Sequence, residues 1–356
     1  QINKANKAAS EKGNDEIIQI LIMHNGIKDR SFEDCTKLNH ILIPSYIKSI
    51  GVNSFCGCSN LTEINIPSSV TFIGDLAFQN CISLKKVEIP SSVTSIGNGT
   101  FSGCSSLSDL KIPSNLKSIG NNAFWSCSSL TEMSIPLRVT IIHDYTFFEC
   151  TSLSKVMIPY QIKEIGSFAF WGCCKIKQLL IPSSLVSIGN YAFAGCTLIS
   201  ELSIPSSVKK IGNSVFERCS LLSKISIKPP ISQFGESAFS GCSALVQITI
   251  PSSVLAIDEA AFWSCTSLVD VEIPTSVKSI GDNAFWGCIS LKEISIPSSV
   301  TSIGEYAFFG CSSLTKVNIN GYLKSIGKYA FSECFELDEI EIPSTTIEIG
   351  ENAFQK

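Results

Sequence analysis

"LTEINIPSSVTFIGDLAFQNC", residues 61–81, is one full turn of a unit that the chain repeats from end to end. A step of 23 residues takes Ile66-Pro67 to Ile89-Pro90, Phe78 to Phe101 and Cys81 to Cys104. Continued in both directions, the Phe slot is filled from Phe32 to Phe354, the Cys slot from Cys35 to Cys334 and the Ile slot from Ile43 to Ile342. Proline misses its slot only at Lys228 and Asn320. Self-similarity at a fixed short period, without an insertion, is the signature of a solenoid.

Within the turn, Leu61, Ile64 and Ile66 face one way and Glu63 and Asn65 the other, the alternation of a half-buried strand. Pro67 has no N–H to donate and ends the ladder. Val70 and Ile73 turn inward along a second extended side, and Gly74 is expected at a corner. Asp75 is expected to N-cap one helical turn carrying Ala77 and Phe78. A glycine two residues after the Phe (Gly103, Gly172, Gly195, Gly287) suits a left-handed stop. One coil cannot bury its own apolar side, whereas stacked coils bury one another's. The expected fold is an α/β solenoid of about fourteen 23-residue coils. Its parallel strands, ~4.7–4.9 Å apart, line one face and short helical turns the other.

The string L-x-x-I-x-I-P-S-S-V-x-x-I-G-x-x-A-F-x-x-C resembles the BspA-like leucine-rich-repeat family, and it runs from Ile43 to the end. The resemblance implies a right-handed leucine-rich-repeat coil with its parallel sheet on a concave face and its helical turns on the convex side. It also implies a non-enzymatic protein-binding module, commonly at the surface of bacteria or parasitic protists, with no catalytic residue and no cofactor.

Composition bounds the alternatives. The net charge is −4 and no basic stripe stands out, which argues against nucleic acid as a partner. Mean hydropathy is positive at +0.27, yet Ser, Gly, Lys or Pro breaks every apolar run before the ~18–20 residues of a membrane span. The opening QINKANKAASEKGNDE lacks the apolar stretch of a signal peptide. Only His24, His40 and His143 are available for acid–base work, and none has an evident partner.

Fourteen of the sixteen cysteines form a column; Cys56 and Cys174 stand outside it. Neighbouring Cα atoms are expected at disulfide distance, but in-register side chains point the same way. A straight file does not converge as zinc ligands must. The column therefore reads as small apolar filler, ahead of disulfides and of metal. So many thiols fit a reducing compartment; the sequons at Asn60 and Asn98 pull the other way, but a chain this rich in Ser and Thr produces such matches by chance.

Candidate contact residues are those that leave the consensus. Met157 and Leu180 take a strand slot held elsewhere by Ser134 or Asn65, and Leu137-Arg138 and Tyr160-Gln161 replace Ser-Ser after Pro. They are expected to form one patch of interface-like chemistry, with drift in a tolerant slot as the competing reading. A second set follows the column Phe: Trp125, Phe148 and Trp171, then Trp263, Trp286 and Phe309. These are expected to stack between coils, stabilising the array or presenting an aromatic surface.

Residues 1–20 read as a polar cap, residues 21–356 as one solenoid, and the stretch 17–23 as an opening strand. The last coil is expected to stop mid-repeat, inviting end-to-end or partner capping. Two functions follow: a cell-surface or extracellular adhesion protein binding a host or matrix protein, or a cytoplasmic scaffold forming a rigid spacer in an assembly.

Overall fold

The computed structural model describes residues 2–356, which divide into two compact units, one up to residue 175 and one over residues 176–356. Both are parallel-strand solenoids, and the chain makes about thirteen turns. In the first unit, Glu63–Asn65 pairs with Lys86–Glu88, and that strand with Asp109–Lys111, each partner 23 residues on. In the second, Glu201–Ile204 pairs with Lys224–Ile227 and Glu293–Ile296 with Lys316–Ile319 in the same register. Ile64 is buried while Glu63 and Asn65 are exposed, as period-2 alternation requires. A second side carries two-residue strands such as Ser95–Ile96 against Ser118–Ile119.

The third side is not helical. It is a run of turns with two left-handed residues per coil, for example Leu76 (φ 58°) and Asn80 (φ 57°). Alternate N–H groups bond the next coil, Leu76 to the Asn98 carbonyl at 2.8 Å, Phe78 to Thr100 at 2.9 Å and Asn80 to Ser102 at 2.7 Å, while those between them bond their own coil, as Gln79 does to Leu76 at 3.1 Å. Asp75 is accordingly no N-cap. Its Oδ1 accepts the Asn98 N–H at 2.8 Å, and Asn98 Oδ1 accepts the Asn121 N–H at 2.9 Å. In the second unit Asn190 serves Asn213 and Asp282 serves Glu305 in the same way. Where the slot holds Asp or Asn, its side-chain oxygen takes the one donor that the backbone ladder leaves over at the corner.

Gly74 is needed for a different reason from the one expected. Its φ is not left-handed, but a Cβ there would stand 2.7 Å from the Val52 nitrogen and 2.8 Å from the Gly51 carbonyl carbon of the coil before. The glycines after the Phe do adopt positive φ, 73° at Gly103 and 71° at Gly172.

The core is columnar. Phe32 to Phe170 stack with centroids 5.2–5.8 Å apart in the first unit, and Phe193 to Phe354 at 5.0–5.9 Å in the second. One extra ring, Phe234, takes the slot of the inward Ile211 and Ile257 and meets Phe239 edge-on at 5.4 Å. Beside it the second side narrows to a lone bridge between Gln233 and Ala256.

The opening segment differs from expectation. Residues 17–23 lie in a helix, not a strand: α1 spans Ile2–Glu11 and α2 Asp15–Asn25. Asn14 caps α2 by accepting the Ile17 N–H at 3.0 Å, and Gly26 (φ 68°) closes it. Ile18 and Ile22, one turn apart, are buried, and Asn6 and Gln19 bond the Ser31 and Leu42 carbonyls. Two helices can cover the first coil without presenting an open strand edge.

Candidate functional site

In several coils the second Ser after Pro is structural. Ser69 Oγ donates to the Ile47 carbonyl, Ser253 to Ile231 and Ser276 to Val254, each at 2.6 Å. Arg138 and Gln161 give up that bond. Arg138 is exposed, as is Leu137 at 57%, Tyr160 at 70% and Met157 at 58%. Gln161 departs from expectation: it is half-buried, and its Oε1 is enclosed with no donor in reach.

On the adjoining strand face Met157 pairs in register with Ser134, and Lys155 with Glu132. Two inward positions are only half covered here, Leu110 and Val156, whereas Ile64, Val87 and Met133 are sealed. The result is a groove of about 520 Å³ lined by Leu110, Ile112, Met133 and Met157, with Lys111, Glu132 and Lys155 along it. Lys155 lies 4.0 Å from Glu132 and Lys111 3.3 Å from Glu88, all well exposed. Such pairs are worth about 0–1 kcal/mol and leave the charges free to meet a ligand.

Leu180 belongs to the second unit, where it is 85% exposed and borders a groove of about 580 Å³ with Leu179, Leu202 and Lys224.

The aromatic stripes lie on the turn side. Trp125, Phe148 and Trp171 stack at 5.9 and 4.7 Å; Trp263, Trp286 and Phe309 at 5.1 and 5.9 Å. All are half-buried or more exposed, Trp125 at 36% and Trp263 at 38%. Next to them Tyr145 stacks on Phe168 at 4.8 Å and Tyr306 on Tyr329 at 5.0 Å. These four residues have positive φ, 53–57°, where Asn or Gly would be unstrained.

The family model for the BspA type leucine rich repeat region matches residues 25–150, 117–246 and 232–356, in six copies. The chain belongs to that family. A leucine-rich repeat protein of Bacteroides ovatus is 34% identical, with 85% of this chain and 87% of that one covered and a TM-score of 0.71. A leucine rich cell surface protein of Faecalibacterium prausnitzii is 32% identical over 80% of this chain and 88% of that one, TM-score 0.57. A leucine-rich repeat protein of Eubacterium ventriosum, 23% identical over 80% of each chain with a TM-score of 0.56, shares the fold. None of the curated proteins matches. Leucine-rich repeats of this kind are a protein-interaction module type.

In this BspA-type chain the column thiols are donors as well as filler. Cys58 Sγ–H points at the Phe32 carbonyl, Cys81 at Phe55 and Cys104 at Phe78, each 3.1 Å away, and the pattern continues to Cys334 and Phe308. Burial pushes Cys150, Cys219 and Cys265 up to about 12 and Cys104 well above its ordinary value. Thiols held so firmly protonated do not act as nucleophiles. Cys174 faces outward, with Sγ 3.4 Å from the Thr151 carbonyl. Among the described residues no cluster of His, Cys, Asp or Glu is placed to hold a metal ion, and no helix is long and apolar enough to cross a membrane.

Proposed function

We propose that the chain is a non-enzymatic binding protein of the cell surface that holds a host or matrix protein on the strand face of its first unit. The groove of about 520 Å³ at Met157, flanked by exposed Tyr160, Leu137 and Arg138, carries this reading. Interfaces favour aromatic, Met and Arg anchors in a partly apolar recess with a polar rim. Three of the four anchors occupy slots that Ser normally fills. The surface assignment rests on kinship with the F. prausnitzii cell surface protein.

The scaffold reading drew in part on the abundance of free thiols. That argument loses its force once those thiols are buried in a protonated ladder, because they are inert in either compartment.

An impermeant amine reagent applied to intact and permeabilised source cells tests location. Reaction of strand-face lysines in intact cells is expected; reaction only after permeabilisation overturns the surface assignment. Binding of the purified chain to host cells or matrix should then fall at least tenfold in Met157→Ser/Tyr160→Ser. The control Tyr46→Ser, in another coil, should bind normally. Unchanged binding by the double variant removes the groove.

A further inference from the structure

The corner slot that reads Gly74, Gly97, Gly120 and Gly166 along the first unit holds His143 in the coil between the last two. A side chain is not neutral there. A Cβ on Gly120 would stand 2.7 Å from the Asn98 nitrogen, and one on Gly166 2.6 Å from the Asp144 nitrogen, each time against the corner peptide of the preceding coil. His143 carries such a Cβ, so its coil has to sit back from the one before. The bond across this corner, from the Asp144 N–H to Asn121 Oδ1, is 3.1 Å long, against 2.6–2.9 Å at the six other corners that have it.

The backbone shows the consequence. In the coil before, the amides of Ser108, Lys117 and Gly120 reach back to the Lys85, Thr94 and Ile96 carbonyls at 2.8–3.1 Å. In the coil after, Ser154, Lys163 and Gly166 reach Thr131, Thr140 and Ile142 at 2.7–2.9 Å. The equivalent amides of Thr131, Thr140 and His143 meet no carbonyl of the preceding coil. Asp109–Lys111 does not pair with Glu132–Ser134, nor Ser118–Ile119 with Ile141–Ile142. The turn side stays bonded, Phe124 to Thr146 at 2.9 Å. Among the described residues within either unit, only this junction loses the ladder on both sides; glycine corners lose one at most, as between Asp270–Glu272 and Glu293–Ile296. The opening is the strand-face groove, with Leu110, Lys111 and Ile112 on one wall and Glu132, Met133 and Ser134 on the other.

Two comparisons single out His143. Arg138 gives up the Ser bond in the same coil, but so does Gln161 in the next, where both ladders persist. Asp258 is the other corner residue with a side chain between Gly51 and Gly350, and its junction is cut to the Lys224–Gln247 pair and the Gln233–Ala256 bridge. We propose that His143 is a positioning residue of the strand-face groove, its Cβ acting as a wedge that holds the two coils apart. That a partner binds there rests on the function proposed above; the wedge does not.

Amide hydrogen exchange of the whole chain, resolved by NMR, tests the junction. His143→Gly should let residues 130–143 close onto residues 107–120 and slow exchange at Thr131 and Thr140 by about tenfold or more, with Phe124 and Ser126 unchanged. Greater backbone freedom at a glycine would act the other way. His143→Ala keeps the Cβ and should exchange as the parent does. Gly166→Ala should open the next junction and speed exchange at Ser154 and Lys163. Unchanged exchange in His143→Gly, or equal slowing in His143→Ala, overturns the wedge whatever either variant binds. Binding to host cells or matrix should fall in His143→Gly and persist in His143→Ala. Slowed exchange with undiminished binding would uphold the wedge and overturn the groove as the contact site.

Discussion

Two aromatic files run side by side through each unit, and they differ in one respect that separates structure from function. The column Phe rings stack at 5.0–5.9 Å, are sealed from solvent in nearly every coil and fill every slot. The neighbouring Trp, Tyr and Phe rings stack at similar spacing, 4.7–5.9 Å, yet are half-exposed and stop and start. The first file supplies the largest buried side chain of nearly every coil. A coil forms readily without the second, as the coils with Gln79, Ser102 or Glu217 at that slot do. Tyr145, Phe168, Tyr306 and Tyr329 even sit in the left-handed region, which costs an ordinary residue about 1–2 kcal/mol. The same left-handed state recurs at Leu76, Ser214 and Ala260, so it belongs to the coil, and the rings are a variable addition to it.

Breaking the first file should have the largest effect. Phe124→Ala empties the centre of one coil between Phe101 and Phe147 and is expected to destabilise the chain by about 3–5 kcal/mol. Urea unfolding followed by circular dichroism measures it. Trp125→Ala, one residue on, should move the same midpoint far less; equal losses would erase the distinction between the files. Gly74→Ala comes next. Its Cβ would press on backbone atoms of the preceding coil that no rotamer change can move, at an expected cost of about 1–3 kcal/mol. Cys104→Ala should cost about 1 kcal/mol, through one lost bond to the Phe78 carbonyl and a small void.

What could be read from residues alone followed the strength of the periodicity. The register, the inward columns and the exposure of Met157, Tyr160 and Leu180 all follow from a period of 23 combined with strand alternation. The turn side was misjudged because Asp75 before an Ala-Phe pair looks like a capped helix. The missed signal was the recurrence of Asn or Gly at two slots four apart, Asn53 with Gly57 and Gly99 with Gly103, which marks paired left-handed residues. The opening segment was ambiguous for another reason. A short apolar run such as IIQILIM fits a strand or a helix, and only Asn14 and Gly26 at its borders decide.

The smallest effect tests a departure in the corner file. Asp258 stands where most coils have Gly, next to the coil that accommodates the extra Phe234 ring. Its carboxyl is partly enclosed, with Oδ2 lacking a donor. Burial, and then the Glu236 carboxylate, raise it from the ordinary 3.8 to about 6. A carboxyl whose folded value lies above its unfolded one binds its proton more tightly in the fold. Its favourable contribution is thus complete below about 3.8 and lost as pH rises through about 6. Because the group retains contact with water, the loss should stay below about 1 kcal/mol. Asp258→Asn should remove this slope between pH 4 and 6 and leave the variant slightly more stable than the parent at pH 7, in melting curves recorded across that range. A parent that instead gains stability as pH rises, with the slope abolished in the variant, would mean that the carboxylate is favourably held, and that this corner accepts a charge as readily as it accepts glycine.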